Sequence, residues 1–158
     1  LYIIHHSKKM ESKTEITPTV IIIEPSGFTD LIEVDSNIMT KQELAELIDA
    51  DDLIAFNNSD SLYAITESCG LNKQVTIYAD IDGVGKDLKS NQAATMLTDN
   101  AHEIRGVIII AMEDSEHNIF PFDTDEDIEE VFDVTFDLTD GCLIRDYGQE
   151  DGRYDAWC

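Results

Sequence analysis

GVIIIAM, Gly106 to Met112, is the most hydrophobic run of the chain and decides what fold to expect. Its core, Val107 to Ile110, is four consecutive β-branched residues, which favour a strand over a helix. These side chains cannot all face water without leaving a large exposed apolar patch. We therefore predict an interior strand of a sheet.

On both sides of this run, the sequence predicts strands interspersed with short helices. Runs rich in β-branched and apolar residues predict strands at 17–24, 28–34, 53–56, 61–66 and 75–81. Capping residues predict helices after Thr40, after Ser90 (91–97) and after Thr124 (125–132). Hairpin-like neighbours without a repeat or linker predict one α+β domain. We expect a mostly antiparallel or mixed sheet of about five to six strands with about two to three short helices.

The ends of the chain are expected to lie outside that domain, which we place at residues 17–138. Residues 1–9 are interpreted as a non-native or disordered start, since Met10 is a plausible first residue. Residues 139–158 are rich in Gly, Asp and Tyr and have no hydrophobic periodicity, so an irregular acidic tail is predicted there.

The charge balance is extreme: 34 acidic and 10 basic residues give a net charge of −24 over 158 residues. Residues 111–158 hold 16 of the acids and only two of the basic residues. Such a surface repels nucleic-acid phosphates and anionic membranes, and it attracts basic partners or cations. We therefore expect a basic protein partner, no direct nucleic-acid binding and no membrane association.

Neither the cysteines nor the histidines form a catalytic or metal-binding pattern. Cys69, Cys142 and Cys158 are odd in number and lack a C-x-x-C, which fits free thiols in a reducing cytoplasm. A cysteine nucleophile needs a nearby base, which the sequence does not place. His102 and His117 have no partner at ligand spacing. We predict no catalytic residue, no metal site and no cofactor.

The loop DIDGVGKD after the fifth strand invites comparison with two ligand-binding motifs. A phosphate loop fails because Asp80 replaces its first glycine and Asp87 its hydroxyl residue. A calcium loop that starts at Asp80 and uses Asp82 fails at its fifth and twelfth positions, Val84 and Asn91. A plain strand-to-helix connection is therefore predicted.

The segment DTDEDIEE also suggests a calcium-binding loop, because Asp123, Asp125 and Asp127 occupy alternate positions. No glycine follows at the sixth position, and the segment continues into a helical pattern. Carboxylates in a first helical turn favour the positive end of the helix dipole. An acid-rich helix start is the preferred interpretation.

This last helix supplies the candidate binding residues. Acids fall on one side of it: Glu126, Glu129, Glu130 and Asp133. Neighbours at this spacing lie about 5–6 Å apart, on the scale of phosphates along a DNA strand within a factor of about two. An ordinary solvated helix face is the alternative. Further partner-binding residues are predicted in the acidic tail, at Asp146, Glu150 and Asp151.

Several segments resemble a domain-of-unknown-function family of small acidic proteins from phages, plasmids and conjugative elements of gut bacteria. They are VIIIEPSGFTDLIEV, LYAITES, SNQAATML and IRGVIIIAMED, and they span about Thr19 to Asp114. The resemblance implies a mobile-element origin and a cytoplasmic setting, and it supplies no catalytic residues. The acidic part beyond Asp114 departs from the family pattern.

Three functional hypotheses follow. The first is a non-catalytic acidic accessory protein of a mobile genetic element that binds a basic protein partner. Its sharpest form is a nucleic-acid mimic that inhibits a host restriction or CRISPR nuclease. The alternatives are a metal-dependent enzyme using the C-terminal carboxylates, and a structural or assembly module. The sequence does not decide the oligomeric state.

Overall fold

The computed structural model of the protein describes residues 13–70, 72–141 and 144–145. The strands are β1 (Glu15–Ile23), β2 (Phe28–Glu33), β3 (Leu53–Phe56), β4 (Gln74–Asp80), β5 (Ile108–Glu113), β6 (Ile119–Phe120), β7 (Phe122–Thr124) and β8 (Ile144–Arg145). The helices are α1 (Lys41–Leu47), α2 (Asp60–Cys69), α3 (Gln92–Leu97) and α4 (Asp125–Leu138).

One sheet organises the molecule, with the strand order β3-β4-β5-β1-β2-β8. Neighbours are antiparallel except β2 and β8, which are parallel. β6 pairs with β5, and β7 pairs with β1. The predicted single α+β domain with a mostly antiparallel sheet is confirmed. The described residues hold eight strands and four helices, more than expected, because three strands are only two or three residues long and α2 is a helix.

The sheet is covered on both faces, which explains its hydrophobic centre. β5 lies between β4 and β1, and its residues are buried throughout, as predicted for the run GVIIIAM. Side chains alternate along it, so Ile108 and Ile110 face α2, α3 and α4. Ile109 faces the other way, toward Leu44 of α1 and Met39 in the segment before it.

α2 corrects one prediction, because the segment 61–66 is helical rather than a strand. The Ser59 side chain caps the helix by accepting the Leu62 N–H at 3.1 Å. Gly70 ends it in the left-handed conformation, at φ 68°. The buried residues recur at helical spacing: Leu62, Ile65 and Cys69. The apolar and β-branched residues of the segment were the wrong guide, since only Ile65 and Thr66 are β-branched and the caps and tertiary packing decided its structure.

The other predicted elements are present, with shifted boundaries. The capping box at Thr40 and the cap at Thr124 are confirmed. α3 is capped by Asn91 rather than Ser90. α4 ends at Leu138 instead of Phe132. Residues 1–9 and most of 139–158 lie outside the described residues, so the predicted domain limits remain predictions.

Candidate functional site

α4 carries a row of carboxylates opposite its buried side. They occupy positions i, i+4, i+7 and i+11 of the helix, so they line one side of it: Glu126, Glu130, Asp133 and Asp137. Eleven residues of helix span about 16 Å. Glu130 is half-buried and the other three are exposed. We call these four residues the acidic stripe.

The structure brings the helical site residues named from sequence to this one surface. Glu129 is half-buried and flanks the acidic stripe. Sequence reasoning missed Asp137, because it ended the helix at Phe132. The spacing of Asp137 four residues after Asp133 is the feature of the sequence that could have identified it. Three further candidates, Asp146, Glu150 and Asp151, lie outside the described residues.

The start of α4 shows that its acids have different roles. Glu126 accepts the Thr14 N–H through Oε1 at 2.6 Å, and this hydrogen bond lowers the pKa of Glu126 below its usual value. Asp127 is buried, and its Oδ1 lies 2.9 Å from Lys13 Nζ. Lys13 also donates to the backbone carbonyl of Cys69 at 2.6 Å. Asp127 is therefore structural. Glu126 has two roles, since it bonds the backbone of Thr14 just before β1 and also carries surface charge.

The end of α4 has acids where they do not stabilise the helix. Its last turn has no basic residue, although cations are favoured at the negative end of the helix dipole. Asp137 lies in that turn and Asp140 follows it, both exposed. Carboxylates there cost up to about 1 kcal/mol each. Helix stability thus explains Asp125 to Asp127 but not the C-terminal acids.

An exposed aromatic side chain lies beside the acidic stripe. Phe136 is 49% exposed, and its helical position places it on the same flank as Glu129. Rigid aromatic side chains are common anchors at protein interfaces. The outer surface of α4 therefore combines aligned negative charge with one apolar contact point.

A second feature is a cavity of ≈ 580 Å³ on the other face of the sheet. It lies between residues 38–41, before and at the start of α1, and the turn from β5 to β6. Tyr78, which is buried, donates its Oη hydrogen to Glu113 Oε1 at 2.5 Å. Glu113 Oε2 lies 2.8 Å from His117 Nδ1. Burial, reinforced by Glu113, raises the pKa of Tyr78 well above its usual value.

Glu113 joins the other two side chains of this polar row, accepting from Tyr78 at one carboxylate oxygen and contacting His117 at the other. The His117 side chain is 84% exposed. Across residues 13–70, 72–141 and 144–145, no three His, Cys, Asp or Glu side chains are arranged to hold a metal ion.

A smaller cavity of ≈ 300 Å³ lies on the α2 and α3 side of the sheet. Its wall includes Phe56, Leu62 and His102, with the rings of Phe56 and His102 4.9 Å apart between centroids. Ala55 and Asn57 line both this cavity and the larger one. The two cavities therefore meet at β3.

The loop DIDGVGKD folds back on its own strand. Lys86 Nζ lies 2.7 Å from Asp80 Oδ2, and Asp80 Oδ1 accepts the Asp82 N–H at 2.9 Å. Burial alone would raise the pKa of Asp80, but the hydrogen bonds from Lys86 and Asp82 lower it below its usual value. Asp87 is exposed and lies 3.9 Å from Arg105. The loop thus connects β4 to α3 with its lysine already paired.

Cys69 does not have the properties of a nucleophile. Its side chain is buried against α4, and burial, followed by the charge of Asp127, raises the thiol pKa to about 12. A thiol with that pKa stays protonated at neutral pH. Cys142 and Cys158 lie outside the described residues.

Comparisons with protein-family models, with curated proteins and with solved structures found no match for this chain. The resemblance to the mobile-element family therefore stays a prediction. None of the helices in the described part of the chain has the length and apolarity that a membrane span requires.

Proposed function

We propose that this protein is a non-catalytic acidic accessory protein of a mobile genetic element, which binds a basic protein partner in the cytoplasm through the outer surface of α4. In its sharpest form, the acidic stripe occupies a groove that normally binds nucleic acid, and it inhibits a restriction or CRISPR nuclease. The observation that supports this proposal is the continuation of exposed carboxylates to the C-terminal end of α4, where they do not stabilise the helix.

The distribution of positive charge also supports it. Four basic side chains lie within 4.0 Å of the protein's own carboxylates: Lys13, Lys41, Lys86 and Arg105. In α4 itself, every charged residue is acidic. Among the described residues, Lys13 lies near the start of the acidic stripe and is paired with Asp127, while α4 itself supplies no cation, so the rest of the stripe favours approach of a basic surface.

The dimensions of α4 suit a groove that binds nucleic acid. Neighbouring carboxylates of the acidic stripe are separated by about 4.5–6 Å along the axis, against about 3.4 Å for phosphates along one DNA strand. The helix presents a rounded outer surface, about 10–12 Å across with its side chains. Phe136 adds an apolar contact at the flank.

Salt-dependent capture tests the proposal. The purified protein is immobilised and exposed to bacterial lysate at low and at high salt, and retained proteins are challenged with duplex DNA. We expect a basic nucleic-acid-binding protein to be retained at low salt and released at high salt, because exposed charges are screened within about 10 Å at 0.1 M salt. Duplex DNA should displace it by competing for the same groove.

Two results would count against the proposal. Retention of no basic protein at low salt would remove the partner. Retention that neither salt nor DNA reduces would show that binding does not use charge mimicry. Metal-dependent turnover of a substrate, with or without a partner, would favour the enzyme alternative instead.

A further inference from the structure

β3 is the edge of the sheet formed by the described residues, with β4 as its one neighbour there. The strand has four residues, and Ile54 and Ala55 are exposed. An edge strand presents N–H and C=O groups that another strand can pair with. β3 lies at the opposite end of the strand order from β2 and β8.

The hydrogen-bond register shows which groups point outward. The Asp52 carbonyl accepts the Ile81 N–H at 3.2 Å, so this is a hydrogen-bonded pair just before β3. Such pairs alternate along an antiparallel ladder, and the next residues that bond to β4 are therefore even-numbered. Leu53 and Ala55 direct their N–H and C=O groups away from β4. The Leu53 N–H is accepted by Asp52 Oδ1 at 2.8 Å, while Ala55 keeps an outward donor and acceptor.

The two cavities lie on opposite faces of this edge. The smaller one is lined by Ile54, Phe56 and Leu62, on the side of α2 and α3. The larger one contains Tyr78 and Glu113, on the side of α1. Side chains of a strand alternate between faces, so a strand added to β3 directs successive residues into the two cavities in turn.

Charge selects the kind of strand. The apolar part of the smaller cavity's wall, formed by Ile54, Phe56 and Leu62, suits an aliphatic side chain. The larger cavity has polar side chains in its wall, among them Asn57, Tyr78 and Glu113, so a charged residue of the added strand is directed to that side. Lys41 also lines the larger cavity, but its ammonium lies 4.0 Å from Asp52. With a net charge of −24, pairing between two copies is opposed by repulsion, whereas a basic segment is attracted.

We propose that the edge of β3 takes up an extended basic segment of a partner protein as an added strand, bonded to the outward groups of Ala55, with aliphatic residues toward the smaller cavity and lysine or arginine toward the larger one. This surface differs from the acidic stripe, and the proposal does not depend on the stripe.

A short fluorescein-labelled peptide of alternating valine and lysine is the probe, and fluorescence anisotropy measures its binding. Ala55→Pro removes the outward donor and blocks close approach, while proline is tolerated on an edge strand when its N position faces outward. We expect this variant to melt like the wild type and to bind the peptide at least about ten-fold more weakly, the effect of one to two lost hydrogen bonds. The matched control, Ala55→Val, keeps the backbone donor, so it should weaken peptide binding much less than Ala55→Pro does.

Non-specific attraction of a cationic peptide to an acidic protein is controlled by a second peptide. The same sequence N-methylated at alternate residues keeps its charge but loses the donors that pair with β3, and it should bind at least about ten-fold more weakly. Protection of the Ala55 amide from hydrogen exchange on binding provides a readout that does not depend on any variant.

Defined outcomes overturn the proposal. Equal binding of the methylated and unmethylated peptides means that charge alone retains them. Binding that Ala55→Pro leaves unchanged, with no protection of the Ala55 amide, places the peptide elsewhere. A dimer in sedimentation that Ala55→Pro dissociates means that a second copy occupies the edge. Neutralising the acidic stripe should leave the difference between the two peptides intact, so failure here is separable from failure of the proposed function.

Discussion

Lys13 and Asp127 lie 114 residues apart in the chain and form an ion pair, with Nζ 2.9 Å from Oδ1. The Asp127 side chain is 4% exposed. The pair joins the segment before β1 to the first turn of α4 and, through the carbonyl of Cys69, to the end of α2. Asp127 in the run DTDEDIEE is thus part of the internal structure, whereas Glu130 of the same run and Asp133 beyond it belong to the acidic stripe.

Asp127→Asn should destabilise the protein by about 1–3 kcal/mol, because Lys13 loses its charged partner in a largely buried site. Asp133→Asn is the matched control, since Asp133 is exposed on the same helix, and it should stay within about 0.5 kcal/mol of the wild type. Urea denaturation monitored by circular dichroism measures both values. Equal stability of the two variants would mean that the ion pair contributes nothing.

Ile109→Asp should prevent folding, because position 109 is fully buried between the sheet and α1, and an unpaired carboxylate there has no compensating partner. The control is Val84→Asp, the same added charge at a side chain that is 76% exposed. Thermal unfolding and amide dispersion in NMR spectra distinguish the two. A cooperatively melting Ile109→Asp protein would contradict the interior position of β5.

Stability should fall as the pH rises above about 9, because two buried acids keep their protons in the folded state. The pKa of Cys69 is raised from 9.0 to about 12, and that of Tyr78 is raised from 10.0. The unfolded chain releases these protons first, so stability is fully present below pH 9 and declines above it, by up to about 1.4 kcal/mol per pH unit and group. Tyr78→Phe should reduce this decline above pH 10. An unchanged slope in urea titrations across this range would contradict the assignment.

Asp80, Asp82 and Asp87 should not form a high-affinity calcium site. The Lys86 ammonium is bonded to Asp80, and Asp87 lies beside Arg105, so these carboxylates do not converge on one point. Calorimetry with calcium chloride should give no sub-micromolar binding. Tight binding that Asp82→Ala abolishes would show the interpretation to be wrong.

Much of the sheet was predictable because its signals are local. The runs that became β1, β2, β4 and β5 combine β-branched composition with turn residues at their ends, and Thr40 and Thr124 are local capping signals. The helix α2 was not, since Ile65 and Thr66 favour a strand, and the caps at Ser59 and Gly70 together with packing of Leu62 and Ile65 decide for a helix. β6, β7 and β8 are too short to leave a pattern.

The candidate sites were less predictable, because several of their contacts join residues that are far apart in the sequence. The hydrogen bond between Tyr78 and Glu113 joins residues 35 positions apart and depends on the pairing of β4 with β5. The edge position of β3 is a property of the strand order, which its own four residues do not encode. The acids of α4 were visible because helical periodicity is local, although the place where the helix ends was not.

The most direct test of the central claim is the rate at which the captured basic partner associates with a stripe variant. The variant Glu130→Gln, Asp133→Asn, Asp137→Asn removes three exposed or half-exposed charges and keeps Glu126, which holds Thr14. The control Glu24→Gln, Asp35→Asn, Glu46→Gln removes three exposed charges outside α4. We predict that the stripe variant associates about ten-fold more slowly at low salt, that high salt removes the difference, and that the control associates nearly as fast as the wild type. Equal rates for the stripe variant and the control would contradict the claim that α4 presents the binding surface.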